Sequence, residues 1–152
     1  AYGSAGERCM AISVAVLVGD VADRLMPKLA ARAKALKVGN GMEEGVEQGP
    51  LIEQKAVNRL RELIDDAVEH GASVLQGGQP HPLGGTYFSP TVLGDATPAM
   101  RVAREELFGP VAPLFRFKDE AEAIRIANET QYGLAAAVWT RDVGRALGSF
   151  AA

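Results

Sequence analysis

One cysteine, two histidines and one tryptophan are all that 152 residues contain of these types, and each scarcity excludes something. A lone thiol, Cys9, makes no intrachain disulfide and no four-cysteine metal site. The histidines, His70 and His81, fall at the end of a helical stretch and in a Pro/Gly turn. Neither stands at metal-ligand spacing from a cysteine or carboxylate, so no metal site is expected. Positive charge is not in excess: 16 Lys and Arg against 19 Asp and Glu leave a net charge of −3. The two signs are interspersed, which gives no basic field for nucleic acid and no patch for an anionic membrane surface. The longest apolar run, Ala11–Gly19, has the length of a strand rather than of a membrane span. No leader is expected ahead of it, and a reducing cytoplasmic location is the expectation. Internal repeats and low-complexity tracts are also lacking.

What is present belongs to one globular domain: 47% of the residues are hydrophobic and 23% charged. Ile12–Val18 is β-branched and reads as a buried strand, stopped by Gly19-Asp20, with Asp20 placed to cap the next helix. Leu25, Leu29, Ala33 and Leu36 recur at helical spacing through Val21–Leu36, with Pro27 inside. A second amphipathic helix covers about Glu53–His70, and Ser73–Gln76 is a short strand. Tyr87–Leu93 is strand-like but contains Pro90, which points to an edge or crossing segment. Val111–Phe117 is another strand, followed by a helix over Asp119–Asn128 with Ala121, Ile124 and Ala127 inward. Leu134–Trp139 reads as a small-residue strand and Val143–Phe150 as a last helix. Trp139 and Phe150 are most simply core or subunit-contact residues. Strands alternating with helices predict an α/β fold, a largely parallel sheet with flanking helices. Such sheets place their chemistry beyond the carboxyl ends of strands, and Cys9 is expected near those ends.

The surroundings of Cys9 bear on its use. Free cysteine is commonly an inert, buried small hydrophobe. Here Gly3 and Gly6 allow close backbone approach, and Arg8 favours the thiolate, the reactive form. Gly39-Asn40-Gly41 and the Gly77–Gly85 region lack the strand, glycine loop and helix order of phosphate loops and read as turns. Glu105 and Glu106 by themselves read as a solvated pair, and Phe108 as a core residue.

Five motifs alter that balance. Gly6-Glu7-Arg8-Cys9, Leu36-Lys37-Val38-Gly39, Gln48-Gly49-Pro50-Leu51, Glu105-Glu106-Leu107-Phe108-Gly109-Pro110 and Asn128-Glu129-Thr130-Gln131-Tyr132-Gly133-Leu134-Ala135 occur in one order. Together they resemble the catalytic domain of the aldehyde dehydrogenase superfamily over essentially the whole chain. The start is most similar to methylmalonate-semialdehyde dehydrogenases. From about Glu43 onward, and most clearly over Ala112–Ala121, the chain resembles bacterial succinate-semialdehyde dehydrogenases. An arginine that the succinate type uses for the substrate carboxylate would align with Gly3, so the particular aldehyde stays open.

The resemblance implies that Cys9 is the nucleophile, attacking a small-molecule aldehyde to form a thiohemiacetal and then a thioester. It implies that Glu106 hydrogen-bonds the nicotinamide ribose of NAD or NADP and that Phe108 packs near the nicotinamide. Glu7 is expected to anchor backbone or lie at the surface, since the family's general base lies upstream. Arg59 falls near a position where the family can place a basic residue by the cofactor ribose, and its spacing equally allows an exposed face. The resemblance also implies a single thiol-bearing catalytic domain over residues 1–152, with the nucleotide-binding domain outside it. A chain of this extent is expected not to oxidise aldehydes alone, and to self-associate through unpaired sheet edge and exposed apolar surface. The alternative from another class is a catalytically idle module whose only property is a binding or self-association surface.

Overall fold

The computed structural model describes residues 1–151. A tight turn at Gly3–Gly6 precedes strand β1 (Ala15–Val18) and helix α1 (Val21–Lys34). Helix α2 (Gln54–Glu69), strands β2 (Ser73–Gln76) and β3 (Thr91–Ala96) and the short helix α3 (Arg101–Arg104) come next. Strand β4 (Val111–Phe117) and helices α4 (Glu120–Asn128) and α5 (Val143–Ala151) complete the order. The sheet runs β1-β4-β3-β2, with β1 and β3 both parallel to β4 and β2 antiparallel at the far edge. This is the expected α/β architecture with a largely parallel sheet.

Alternation along the strands builds two cores. Val111, Phe115 and Phe117 of β4 and Leu93 of β3 face a layer formed by Val57, Leu60, Leu63, Ile64 and Ala67 of α2, with Val102 and Ala123 beside them. Leu114 and Val92, one residue out of phase, face Ala22, Met26 and Ala33 of α1 across the sheet. The period of two thus places helices on both faces. Each fully buried Leu or Val contributes about 1.5–3 kcal/mol by leaving water.

Several expectations are corrected. Pro90 does not mark an edge: β3 begins one residue later and is an interior strand, its first four residues all buried. A proline just ahead of the ladder sacrifices no ladder hydrogen bond, and the Thr91 N–H donates to the Pro110 carbonyl at 2.8 Å. Helix α4 turns Ala123 and Ile126 inward, while Ala121 and Ala127 are exposed, a face rotated from the one expected. The Asp119 carboxylate caps α4 through the Glu122 N–H at 2.9 Å, whereas Asp20 makes no side-chain cap on α1. Leu134–Trp139 is not a strand: it pairs with no neighbour among the described residues, and Leu134 and Trp139 stand 70% and 93% exposed. Trp139 is therefore not a core residue, and the side chain of Phe150 lies outside the described residues.

The direction of the sheet also relocates the thiol. Cys9 lies on the loop entering β1, as expected, but β1, β3 and β4 are parallel, so their amino ends lie together. Cys9 and the Glu105–Pro110 segment, which enters β4, share that end rather than the carboxyl ends of neighbouring strands.

Candidate functional site

Backbone conformation shapes the thiol loop first. Ser4, Ala5 and Gly6 are consecutively left-handed, with φ of 51°, 53° and 74°. For the two non-glycine residues this is costly, at about 1–2 kcal/mol each. Burial of Ala5 in the main core and the Glu7 N–H bond to the Ser4 carbonyl, 3.0 Å, help hold the turn. Gly6 is required by contact as well as by φ, because a Cβ there would overlap the Gly109 carbonyl. Gly109 in turn packs so closely on Leu60 of α2 that its own Cβ would collide with that side chain. The glycine expected to approach a ligand instead approaches the segment that carries Glu106 and Phe108.

Beyond this contact, Cys9 sits in a turn closed by the Ala11 N–H donating to the Arg8 carbonyl at 2.8 Å. Its thiol is free and exposed. Among the described residues the Cys9 backbone N–H has no hydrogen-bond partner. Glu7 is half-buried and ties the loop to the chain just before α2, its Oε2 accepting from the Ile52 N–H at 2.9 Å. Its Oε1 is buried without a partner. Burial raises the Glu7 carboxyl above its ordinary value, the Ile52 hydrogen bond opposes this, and nearby Glu53 adds to it. The expectation that Glu7 anchors backbone holds.

The facing segment is fixed by Arg59 of α2. Its Nη2 donates to the Glu106 carbonyl at 2.7 Å and its Nη1 to the Leu107 carbonyl at 3.1 Å. It also reaches the Glu105 carboxylate at 3.4 Å. Arg101 pairs with Glu105 more closely, at 2.6 Å, and holds that carboxyl below its ordinary value. With its backbone held, Glu106 projects an exposed carboxylate that has no hydrogen-bond or ion-pair partner among the described residues. Phe108 adopts φ of 47° and is 42% exposed. It is not the core residue that its type alone suggests.

Phe108 and Glu7 line one cavity of about 200 Å³, together with Glu53, Lys55, Arg59 and Leu107. Cys9 and Glu106 flank these residues in sequence but do not themselves line it. A larger cavity of about 500 Å³, among Val14, Val16, Arg104, Phe115 and Ile126, contains none of the predicted site residues. Among the described residues, no group of three His, Cys, Asp or Glu is placed to hold a metal ion. The clamp made by Arg59 is the feature that sequence reasoning missed. Its signal was the spacing Ala56, Arg59, Leu63, which puts the arginine at the margin of the buried stripe of α2.

The chain is a three-layer α/β domain with an exposed thiol loop set against a second strand-entry loop, and solved dehydrogenase structures share its fold. The succinate-semialdehyde dehydrogenase of Burkholderia pseudomallei superposes with a TM-score of 0.94 at 45% identity, covering 97% of this chain and 30% of that one. The betaine aldehyde dehydrogenase of Staphylococcus aureus in complex with NAD+ gives 0.94 at 35% identity, covering 99% and 31%. The aldehyde dehydrogenase family model matches residues 1–151, and the chain belongs to that family. It is 47% identical over 146 residues to the 3-sulfolactaldehyde dehydrogenase of Pseudomonas putida, covering 96% of this chain. It is 45% identical over 144 residues to the NADP(+) succinate-semialdehyde dehydrogenase of Escherichia coli, covering 95%. The chain spans about 30% of the length of these curated relatives. No helix among the described residues is long and apolar enough to cross a membrane.

Proposed function

We propose that this chain is the thiol-bearing catalytic part of an NAD(P)-dependent aldehyde dehydrogenase, with Cys9 as nucleophile and Glu106 and Phe108 as the nicotinamide-side wall. One observation carries the reading: in a member of this family, the lone thiol is exposed on a loop whose base packs against the segment bearing Glu106 and Phe108. The residues fit a nicotinamide nucleotide. An exposed, unpartnered carboxylate suits the hydroxyls of a ribose, and a partly exposed phenyl ring beside a cavity suits a flat heteroaromatic ring. When bound, such a group supplies an acceptor for a hydride.

Cys9 carries the covalent steps. The Cys9 thiolate attacks the aldehyde carbon, forming a C–S bond while the carbonyl electron pair moves to oxygen. The free Cys9 N–H is available to donate to that oxygen as charge develops. After loss of hydride the acyl group remains on Cys9 as a thioester, released to water or coenzyme A. A small semialdehyde is the proposed substrate class, on the names of the relatives. A single free thiol suits the reducing cytoplasm, which is the proposed location.

Alkylation of the folded chain with iodoacetamide across pH tests the nucleophile. Cys9 is expected to react without denaturant, and a thiol that resists until the protein unfolds refutes the assignment. In an enzyme containing this segment, Glu106→Gln is expected to slow turnover or raise the cofactor KM. Unchanged kinetics with both NAD and NADP would remove Glu106 from the site.

A further inference from the structure

We propose that Glu7 is the positioning residue of the thiol loop, its carboxylate holding the Cys9 turn on the backbone just before α2. The inference rests on the reading of Cys9 as nucleophile and goes beyond it by naming what sets the thiol in place. Three observations converge. The Glu7 Oε2 accepts from the Ile52 N–H at 2.9 Å, a long-range bond between the loop and the chain just before α2. The other oxygen, Oε1, is buried with no partner, so the side chain is held in a site that under-satisfies it. The same side chain lines the cavity shared with Phe108 and Arg59.

Only one residue, Arg8, separates this anchor from Cys9. Met10 and Ile12, which follow, are 67% and 59% exposed. With the anchor in place these side chains stand in solvent and the thiol stays open. Without it, burial of these side chains favours collapse of the loop over the thiol. The charged groups around Glu7 are Glu53, Lys55 and Arg59 in the cavity and Arg8 next in the chain. A comparison that isolates the anchor must therefore hold charge constant. Glu7→Gln retains an oxygen that accepts from Ile52 and Glu7→Ala does not, and both are neutral.

The experiment measures second-order iodoacetamide alkylation of Cys9 in the folded chain for wild type, Glu7→Gln, Glu7→Ala and Glu7→Asp, with thermal unfolding alongside. Glu7→Ala is expected to react at least threefold more slowly than Glu7→Gln, and Glu7→Asp, a carboxylate too short to keep the bond, at least threefold more slowly than wild type. If Glu7→Ala does not fold, wild type against Glu7→Asp decides at constant charge. An Ala rate equal to that of Gln, or an Asp rate equal to that of wild type, overturns the positioning role. A Gln variant as slow as the others also overturns it, since the hydrogen-bond acceptor was then not the cause. A wild-type thiol that does not react ends the nucleophile reading, and this inference with it, whereas reaction indifferent to Glu7 ends the inference alone.

Discussion

Replacing Gly6 by alanine tests the contact on which the site geometry depends. The added methyl meets two separate obstacles. Gly6 has φ of 74°, where an L side chain costs about 1–2 kcal/mol. The Cβ would also overlap the Gly109 carbonyl and come within 2.8 Å of the Ala1 carbonyl. Both are backbone atoms, so relief requires the two loops to separate, at a further cost of about 1–3 kcal/mol. The sum is about 2–5 kcal/mol, a large part of a typical domain's stability. Gly19 is the internal control, since its φ is 64° but nothing lies within 4 Å of where its added Cβ would stand. Gly19→Ala therefore carries only the conformational part, about 1–2 kcal/mol. Both substitutions gain alike from a stiffer unfolded chain, and that gain cancels in their difference. With a urea slope of about 1–3 kcal/mol/M, Gly6→Ala is expected to lower the midpoint roughly 1 M further than Gly19→Ala. Equal midpoints for the two variants would refute the claim that the loops touch through glycine.

Other consequences follow from the same contacts. Arg59→Ala removes two charge-assisted bonds to the Glu106 and Leu107 carbonyls. Discounted for an arginine 37% exposed, the loss is expected to be about 1–2 kcal/mol in denaturant unfolding. Arg59→Lys should recover only part of it, because an ammonium does not reproduce the fork, and full recovery would count against the clamp. The carboxyl of Glu105, held low by Arg101, contributes stability that is present above its ordinary value of 4.5 and lost as pH falls through the lowered one. Arg101→Ala should flatten that acid limb, and an unchanged limb would contradict the pairing. Glu7 has the opposite sign: its raised value means a contribution complete below 4.5 and lost as pH rises through the raised value. Glu7→Gln should therefore be more stable than wild type at neutral pH, with the gain shrinking in acid, and a gain independent of pH would contradict the burial argument. Finally, β1 lies at a sheet edge, and Leu134 and Trp139 are exposed. Sedimentation should show concentration-dependent self-association of the chain, weakened by Leu134→Lys with Trp139→Ser, and a monomer at all concentrations would refute it.

Legibility followed the physical basis of each signal. Helix α2 and strand β4 were read almost to the residue because a helical or apolar strand pattern coincided with burial, and β2 was matched as a short strand although none of its residues is buried. Strand β3 was misjudged because proline was weighed without knowing where the ladder starts. Leu134–Trp139 has strand composition, but a strand exists only through a neighbour, which composition does not reveal. The parallel direction of the sheet likewise decided that Cys9 lies at amino ends, a fact of pairing rather than of spacing. At the site, residue types and order made Cys9, Glu106 and Phe108 candidates. The clamp by Arg59 and the closure of Gly6 on Gly109 lie across chain separations of 48 and 103 residues; helical spacing puts Arg59 at the margin of the buried stripe of α2, but no local pattern names its partners or the Gly6–Gly109 contact.

These contacts explain why thiol and wall can be set against one another at all. Each of the two loops enters its own parallel strand, and strands alone fix where a loop begins, not how it leans. Helix α2 supplies the missing constraint to both. The chain just before it bonds Glu7, Arg59 on its margin bonds the carbonyls of residues 106 and 107, and Leu60 in its buried stripe supports Gly109. Gly6 then rests on Gly109, so the thiol loop is referenced to the same helix twice, once by hydrogen bond and once by backbone contact. Leu60 and its neighbours are fully buried, so α2 cannot shift to accommodate a misplaced loop without opening the core. A loop strained in left-handed conformation at Ser4 and Ala5 persists because rigid surroundings determine it from both sides. The Cys9 loop and the Glu106–Phe108 segment therefore move together or not at all. A substitution that loosens α2 should therefore disturb both, even though α2 carries neither.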